Sequence, residues 1–202
     1  MKRSLVFSVL FVFATIISAE DLTDIVLSLN SRTTSFAGSF EEVKAMPKLK
    51  KEIHKSGRIY FISANDLLMD YTDPETDWSL LGENLFNVQR GQQVQKFNLK
   101  KDDDKMSVFH KTLIYSMRGD VKSVAQVNDA AIHAEDMGNE ISFRLKKTTP
   151  QKIGVTEMLL VYDAETGLIK TLKLIEASGV STTYTTQDMQ KNAVIDKSVF
   201  RK

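Results

Sequence analysis

Residues 65–74 read Asn-Asp-Leu-Leu-Met-Asp-Tyr-Thr-Asp-Pro, and this segment indicates what kind of fold the chain adopts. Leu67, Met69 and Tyr71 occupy every second position, which places their side chains on one face of an extended strand. The two residues between them lie on the opposite face. The Asp-Pro pair at the end of the segment favours a turn, so we predict a short strand followed by a reversal of the chain.

The same two-residue period recurs along most of the chain on both sides of this segment. It is present upstream at Phe36–Phe40 and Ile59–Phe61, and turn residues such as those at Gly82–Asn84 separate the later runs. Short strands linked in this way favour one antiparallel sheet of about ten or eleven strands. The other predicted strands are Trp78–Leu81, Leu85–Val88, Gln93–Leu99, Ala130–Ala134, Glu140–Lys146, Val155–Tyr162, Leu168–Glu176 and Ser181–Asp188.

Two segments have the three- and four-residue spacing of a helix instead. Apolar residues within Leu22–Leu29 share one helical face, and so do those within Met106–Met117. The acidic run Asp102–Asp104 favours the start of the second helix, and Gly119 favours its end. A sheet of this size twists and curls, so its concave face must be filled by the helices or by a ligand. The predicted class is α+β, mainly β with helices.

The first nineteen residues are typical of a secretory signal peptide. Lys2 and Arg3 precede an apolar run that stops at the small residues Ser18 and Ala19. The run is shorter than the ~20 residues that span a bilayer, which disfavours a transmembrane anchor. We predict a signal peptide over residues 1–19, an exported protein, and a single domain over residues 20–202.

Charge and cysteine content exclude several classes of function. The chain has 27 basic and 26 acidic side chains, whereas nucleic-acid binding and adsorption to an anionic membrane surface both require a basic patch. It has no cysteine, which excludes disulfides, thiol catalysis and cysteine-based metal sites. We therefore expect no nucleic-acid partner and a fold stabilised by its apolar core.

The sequence contains no recognisable catalytic or metal-binding pattern. His54, His110 and His133 lie far apart, and none has the spacing of a metal-ligating pair. Asp102–Asp104 lacks the alternating ligands of a calcium loop and is better explained as a solvated turn before a helix. The sequence contains no nucleophile elbow and no glycine-rich phosphate loop. We expect no catalytic residues, no metal and no cofactor, and the alternative of an exported hydrolase is disfavoured.

Several segments together resemble the periplasmic outer-membrane lipoprotein carrier family, LolA and its close relatives. Gly38–Lys44 is similar to the family's early strand, and Ser56–Phe61 is similar to its glycine-led second strand. Residues 65–74 resemble the family's strand that runs into Tyr-Thr-x-Pro, and Leu80–Phe86 resembles its glycine turn and hairpin. The C-terminal segments that fit are Leu159–Tyr162, Asp163–Gly167, Gly179, Asn192 and Ile195–Phe200. The resemblance covers nearly the whole mature chain.

The resemblance implies both a fold and a function. The implied fold is an unclosed, strongly curled antiparallel half-barrel with helices over its concave face and an apolar cavity between them. The implied function is a monomeric periplasmic carrier that takes acylated lipoproteins from an inner-membrane lipoprotein-releasing transporter to an outer-membrane acceptor. Because a fold does not determine a function, two alternatives stay open. One is a binding or sensing protein for another acylated lipid or glycolipid, and the other is a protein–protein adaptor without a cavity.

The candidate lining of the implied cavity consists of apolar residues on the strands and on the second helix, including flexible methionines that suit an irregular ligand. At Ser63-Ala64 many family members have a basic residue followed by proline. Where that residue is arginine, the resemblance implies that it forms hydrogen bonds which keep the lid over the cavity closed. This departure leaves lid control in this chain open. The candidate residues are Leu67, Met69, Tyr71, Phe97, Phe109, Leu113, Ile114, Met117, Phe143, Met158 and Leu160.

Overall fold

The computed structural model describes residues 18–62, 66–99 and 105–202, and within these ranges eleven strands form one antiparallel sheet. The order of neighbours is β6-β5-β4-β3-β2-β1-β11-β10-β9-β8-β7, so the sheet is unclosed and ends at β6 and β7. The predicted antiparallel sheet is confirmed. The strands are β1 (Ser35–Met46), β2 (Lys51–Ile62), β3 (Asp66–Asp73), β4 (Trp78–Gly82), β5 (Leu85–Arg90), β6 (Gln93–Asn98), β7 (Ala130–Asp136), β8 (Glu140–Lys147), β9 (Val155–Asp163), β10 (Ile169–Glu176) and β11 (Ser181–Lys191).

The first helix, α1, spans Ala19–Asn30 and begins at a well-formed cap. The Ser18 hydroxyl accepts a hydrogen bond from the Asp21 N–H at 3.1 Å, and the Asp21 carboxylate accepts one from the Ser18 N–H at 3.1 Å. Cleavage of a signal peptide after Ala19 stays a prediction, because residues 1–17 lie outside the described ranges. Such cleavage would remove the Ser18 cap, which is worth about 1 kcal/mol.

The predicted second helix, α2, spans Lys105–Arg118, and it ends at Gly119 as expected. Gly119 has a φ of +72°, a left-handed conformation that glycine adopts without strain. A methyl group there would lie 2.8 Å from Val26 Cγ1 of α1, so the small residue also allows the two helices to approach closely. The acidic run Asp102–Asp104, predicted to precede α2, lies outside the described residues.

A third helix, α3 (Val121–Asn128), was not predicted. The buried Val121, Val124 and Ala125 have helical spacing, and the Asp120 side chain caps the first turn by accepting from the Ser123 N–H at 3.0 Å. At 8 residues the helix is shorter than the ~11-residue window over which helical periodicity becomes distinct. The expectation of two helices was therefore wrong, and two helices lie between β6 and β7.

The helices cover the concave face of the sheet. Alternate residues of neighbouring strands meet on this face, as where Phe36 of β1 lies opposite Phe61 of β2 with their rings stacked 4.8 Å apart. Leu22 and Val26 of α1 belong to the same buried cluster. So do Leu113, Ile114 and Met117 of α2 and Val121, Val124 and Ala125 of α3. The predicted half-barrel with helices on its concave face is confirmed.

A smaller apolar cluster occupies the opposite, convex face. Leu68 of β3 packs there with Trp78 and Leu80 of β4, and the C-terminal residues Val199 and Phe200 lie against them. Leu67 and Leu68 of β3 both have no exposed surface, so this strand is covered on its concave and its convex face at that point.

Candidate ligand-binding site

The structure brings all eleven candidate residues into one continuous apolar cluster between the sheet and the helices. Phe97 of β6 and Phe109 of α2 are partly buried and pack against this cluster, and the others are buried within it. The buried candidates come from four elements, which are β3 (Leu67, Met69, Tyr71), α2 (Leu113, Ile114, Met117), β8 (Phe143) and β9 (Met158, Leu160).

A cavity of about 370 Å³ lies at one side of this cluster, and we call it the α2 cavity. Its walls come from α2, the C-terminal residues of α3 and β8, the loop between β8 and β9, and strands β9 and β10. Phe109 and Met158 are the two candidates that line it. The apolar lining is completed by Val108, Val155 and Leu174, with Ile153 at its edge in the β8–β9 loop.

The remaining candidates are distributed differently. Met117 borders a space of about 210 Å³ beside α1, and Ile114 borders one of about 170 Å³ near the β4–β5 turn. The other buried candidates belong to closed packing, and Leu67, Phe143 and Leu160 have no exposed surface. In this state of the protein most of the candidate set therefore forms core.

Two hydrogen bonds connect α2 to the sheet, and the sequence indicated neither of them. The buried His110 Nε2 lies 2.7 Å from the Gly82 carbonyl oxygen at the end of β4 and donates a hydrogen bond to it. Burial lowers the pKa of His110 below its ordinary value, outweighing the effect of the carbonyl, so the ring is kept neutral. On the other side, the Tyr162 hydroxyl of β9 donates to the Ser116 carbonyl of α2 at 2.9 Å. Ser63 and Ala64, on which the question of lid control depends, lie outside the described residues.

Three polar residues form one wall of the α2 cavity. The Asn128 amide of α3 donates to Thr112 Oγ of α2 at 2.7 Å and to the Val124 carbonyl at 2.9 Å. Lys147, the last residue of β8, donates from Nζ to the Asn128 carbonyl at 2.8 Å. Sequence reasoning missed this wall, because its members come from three elements and no local pattern links them.

A charged group surrounds Tyr71 farther along the concave face. The Tyr71 hydroxyl donates to the Glu42 carboxylate at 2.5 Å, and the Lys55 and Arg90 cations lie 5.3 and 5.1 Å from its ring centre. Lys55 also forms an ion pair with the buried Asp77 at 2.7 Å. Burial is the largest effect that raises the pKa of Tyr71, so the hydroxyl stays protonated as a donor. Of the candidates, Tyr71 is thus tied into a polar network.

The described ranges contain neither a metal-binding cluster nor a membrane-spanning helix. No group of three or more His, Cys, Asp or Glu side chains is arranged to hold a metal ion there. Within the same ranges, no helix combines the length and the apolar character needed to cross a bilayer.

The chain is similar in fold to several solved structures. A chain in the MucA/MucB complex of Pseudomonas aeruginosa matches with a TM-score of 0.51 and 12% identity, over 90% of this chain and 60% of that one. A LolA superfamily protein from Nitrosomonas europaea matches with a TM-score of 0.46 and 11% identity, over 93% and 99% of the two chains. The lipoprotein LppX of Mycobacterium tuberculosis matches with a TM-score of 0.46 and 7% identity, over 89% and 99%.

No family model and no curated protein matches the chain. At the identities of the solved structures the likeness concerns the fold alone. The architecture itself is an unclosed antiparallel half-barrel with helices on its concave face, which is the fold class that the sequence predicted.

Proposed function

We propose that this protein is an exported carrier that holds the acyl chains of lipoproteins between its half-barrel and its helices and shuttles them from the inner to the outer membrane. The observation that supports this most is the continuous apolar cluster from the concave face to all three helices, with the α2 cavity at its side. The signal peptide over residues 1–19, the single mature domain and the periplasmic location belong to the same proposal. So do the inner-membrane transporter and the outer-membrane acceptor as partners.

The physical need for such a carrier follows from the size of a lipoprotein anchor. Two or three acyl chains contain ~40 methylenes, and exposing them to water would cost on the order of 30 kcal/mol at ~0.8 kcal/mol each. Transfer from a membrane into an apolar protein interior exchanges one apolar environment for another. Loading is therefore close to neutral in hydrophobic free energy, and the direction of transport has to come from the partners.

The size of the α2 cavity indicates how loading would occur. At about 370 Å³ it lies at the low end of small-molecule pockets, which range over roughly 300–1,000 Å³. Two or three acyl chains are larger than one such ligand, so a lipoprotein anchor requires α2 to move away from the sheet. The buried candidates on α2, β8 and β9 would then contact acyl chains in place of one another. The His110–Gly82 hydrogen bond is one of the contacts that has to break.

The experiment is identification by mass spectrometry of what co-purifies with the protein from the periplasm. Leu113 is too deeply buried to carry a charge without loss of the fold, so the test uses Val108→Asp, which places a carboxylate in the half-buried wall of the α2 cavity. The matched control is Val94→Asp on β6, where the valine is 47% exposed. Wild type and Val94→Asp should carry acylated cysteine peptides, and folded Val108→Asp should lose most of them.

A second candidate function is supported by the α2 cavity alone. Its volume accommodates one small apolar ligand without any movement of α2. This suits a protein that binds or senses another acylated lipid or glycolipid through one of its chains. Recovery of free lipid with no lipopeptide would favour this second function and contradict the carrier. Recovery of no acylated molecule at all from gently purified protein would contradict both and favour an adaptor.

A further inference from the structure

We propose that the α2 cavity binds a single-chain amphiphile with an anionic head group and that Lys147 binds the head. This goes beyond the proposed carriage of lipoproteins, in which only the acyl chains are recognised and no charged group of the ligand is bound. It rests on the proposed function in one respect only, since both require an apolar chain to enter between the sheet and α2.

The interior of the α2 cavity suits one alkyl chain. Val108 and Phe109 of α2 face Val155 and Met158 of β9 and Leu174 of β10 across it. Its volume of about 370 Å³ matches one small ligand and excludes a multi-chain lipid unless the helices move. Ile153, which is 75% exposed, extends this apolar lining to the surface through the β8–β9 loop.

Lys147 supplies a positive charge on the wall of this apolar space. Leu145 lies opposite Met158 in the β8–β9 pairing, and the alternation of the strand therefore places Lys147 on the same, concave face. The next residue back, Lys146, lies opposite Glu157 and points to the other face. One proton of the Lys147 ammonium is donated to the Asn128 carbonyl at 2.8 Å, which leaves two donors for a ligand.

Over the residues that the structure describes, the Lys147 ammonium forms no ion pair. Its side chain is nevertheless half-buried. A partly desolvated cation gains most from an anionic partner with which it also shares hydrogen bonds. A carboxylate or phosphate head at this wall, with its chain directed toward Met158, satisfies both the charge and the apolar lining.

A purely structural role for Lys147 predicts a different result. Its bond to the carbonyl of the last residue of α3 is favourable at the negative end of the helix dipole. If that were its only role, loss of the charge would lower stability and leave ligand selectivity unchanged. The test must therefore compare two ligands that differ only in the head group, and measure stability separately.

The experiment measures binding of laurate and of dodecanol to the purified protein, below their micelle concentrations, at about pH 8, where a carboxylic acid is ionised. Wild type should bind laurate about tenfold more tightly than dodecanol, the effect of one charge-assisted hydrogen bond. Lys147→Gln should bind the two equally, with its dodecanol affinity unchanged. The matched control Lys146→Gln, on the opposite face, should keep the wild-type preference. Urea denaturation of each variant records stability independently.

Equal binding of the two ligands by wild type would overturn the head-group assignment, and so would a laurate preference that persists in Lys147→Gln. Binding of neither ligand by a protein that still co-purifies with lipopeptide would overturn this inference and leave the carrier function intact. Binding of neither ligand together with no co-purified lipid would overturn both.

Discussion

Replacement of Phe143 by alanine should show whether the sealed part of the candidate site is core or ligand surface. Phe143 has no exposed surface, and its ring meets that of Tyr162 edge to face at 5.9 Å. Truncation of a buried phenylalanine costs about 3–5 kcal/mol, of which the lost ring pair is about 0.5–1.5 kcal/mol. For a domain of this size each kcal/mol lowers the Tm by ~2–4 °C, so the Tm should fall by roughly 6–20 °C.

The assay combines thermal and urea unfolding with laurate binding measured on the folded fraction. Phe143→Ala should lose stability and retain laurate binding per folded molecule, because the residue does not line the α2 cavity. Phe109→Ala is the matched comparison, since that ring is half-buried on the cavity wall and should cost less stability and weaken laurate binding. A Phe143→Ala protein with the wild-type Tm and weakened binding would refute the assignment of Phe143 to the core.

Two further perturbations test the sheet and the attachment of α2. Gly57→Ala should lower the free energy of unfolding in urea by about 1–3 kcal/mol, because the added methyl would lie 2.3 Å from the Asp70 carbonyl oxygen. Ser56→Ala is the control, and a Gly57→Ala protein as stable as Ser56→Ala would be inconsistent with the close approach of β2 and β3. Because burial lowers the pKa of His110, the folded protein binds fewer protons than the unfolded chain, so stability should fall as the pH drops below about 6.5. His110→Gln should reduce the dependence of the free energy of unfolding on pH, and the control His54→Gln should not. An unchanged pH dependence in His110→Gln would contradict the assignment of this effect to His110.

The parts of the fold that could be predicted are those encoded locally. The alternation at Leu67, Met69 and Tyr71 defines the concave face of β3 because the strand period is two, and Gly119 ends α2 because few other residues adopt its backbone conformation. The helix α3 was not predicted because its apolar spacing repeats over too few residues to be recognised as helical.

The division of the site into core and cavity could not be predicted. Phe143 and Met158 are both apolar residues at alternating strand positions. The packing of α2 and α3 leaves a cavity beside Met158 but none beside Phe143, and the sequence pattern does not distinguish the two. The contact of Lys147 with Asn128 joins a strand to a helix, and neighbouring sequence carries no signal of it. Such features depend on how a curled sheet meets the helices that cover it.

The meeting of the first and last strands at the centre of the sheet has a consequence for folding kinetics. All other neighbouring strands in the sheet are consecutive along the chain, whereas β1 and β11 come from its two ends. Beside this pair, the hydrogen bond from the Thr34 N–H to Asn192 Oδ1 joins residues 158 positions apart. Strands β1–β6 and β7–β11 can each assemble from short-range contacts, but the seam between β1 and β11 has to close a loop that spans nearly the whole domain. Until it closes, the two longest unpaired edges lie at the middle of the future sheet, and there the folding chain is most exposed to aggregation.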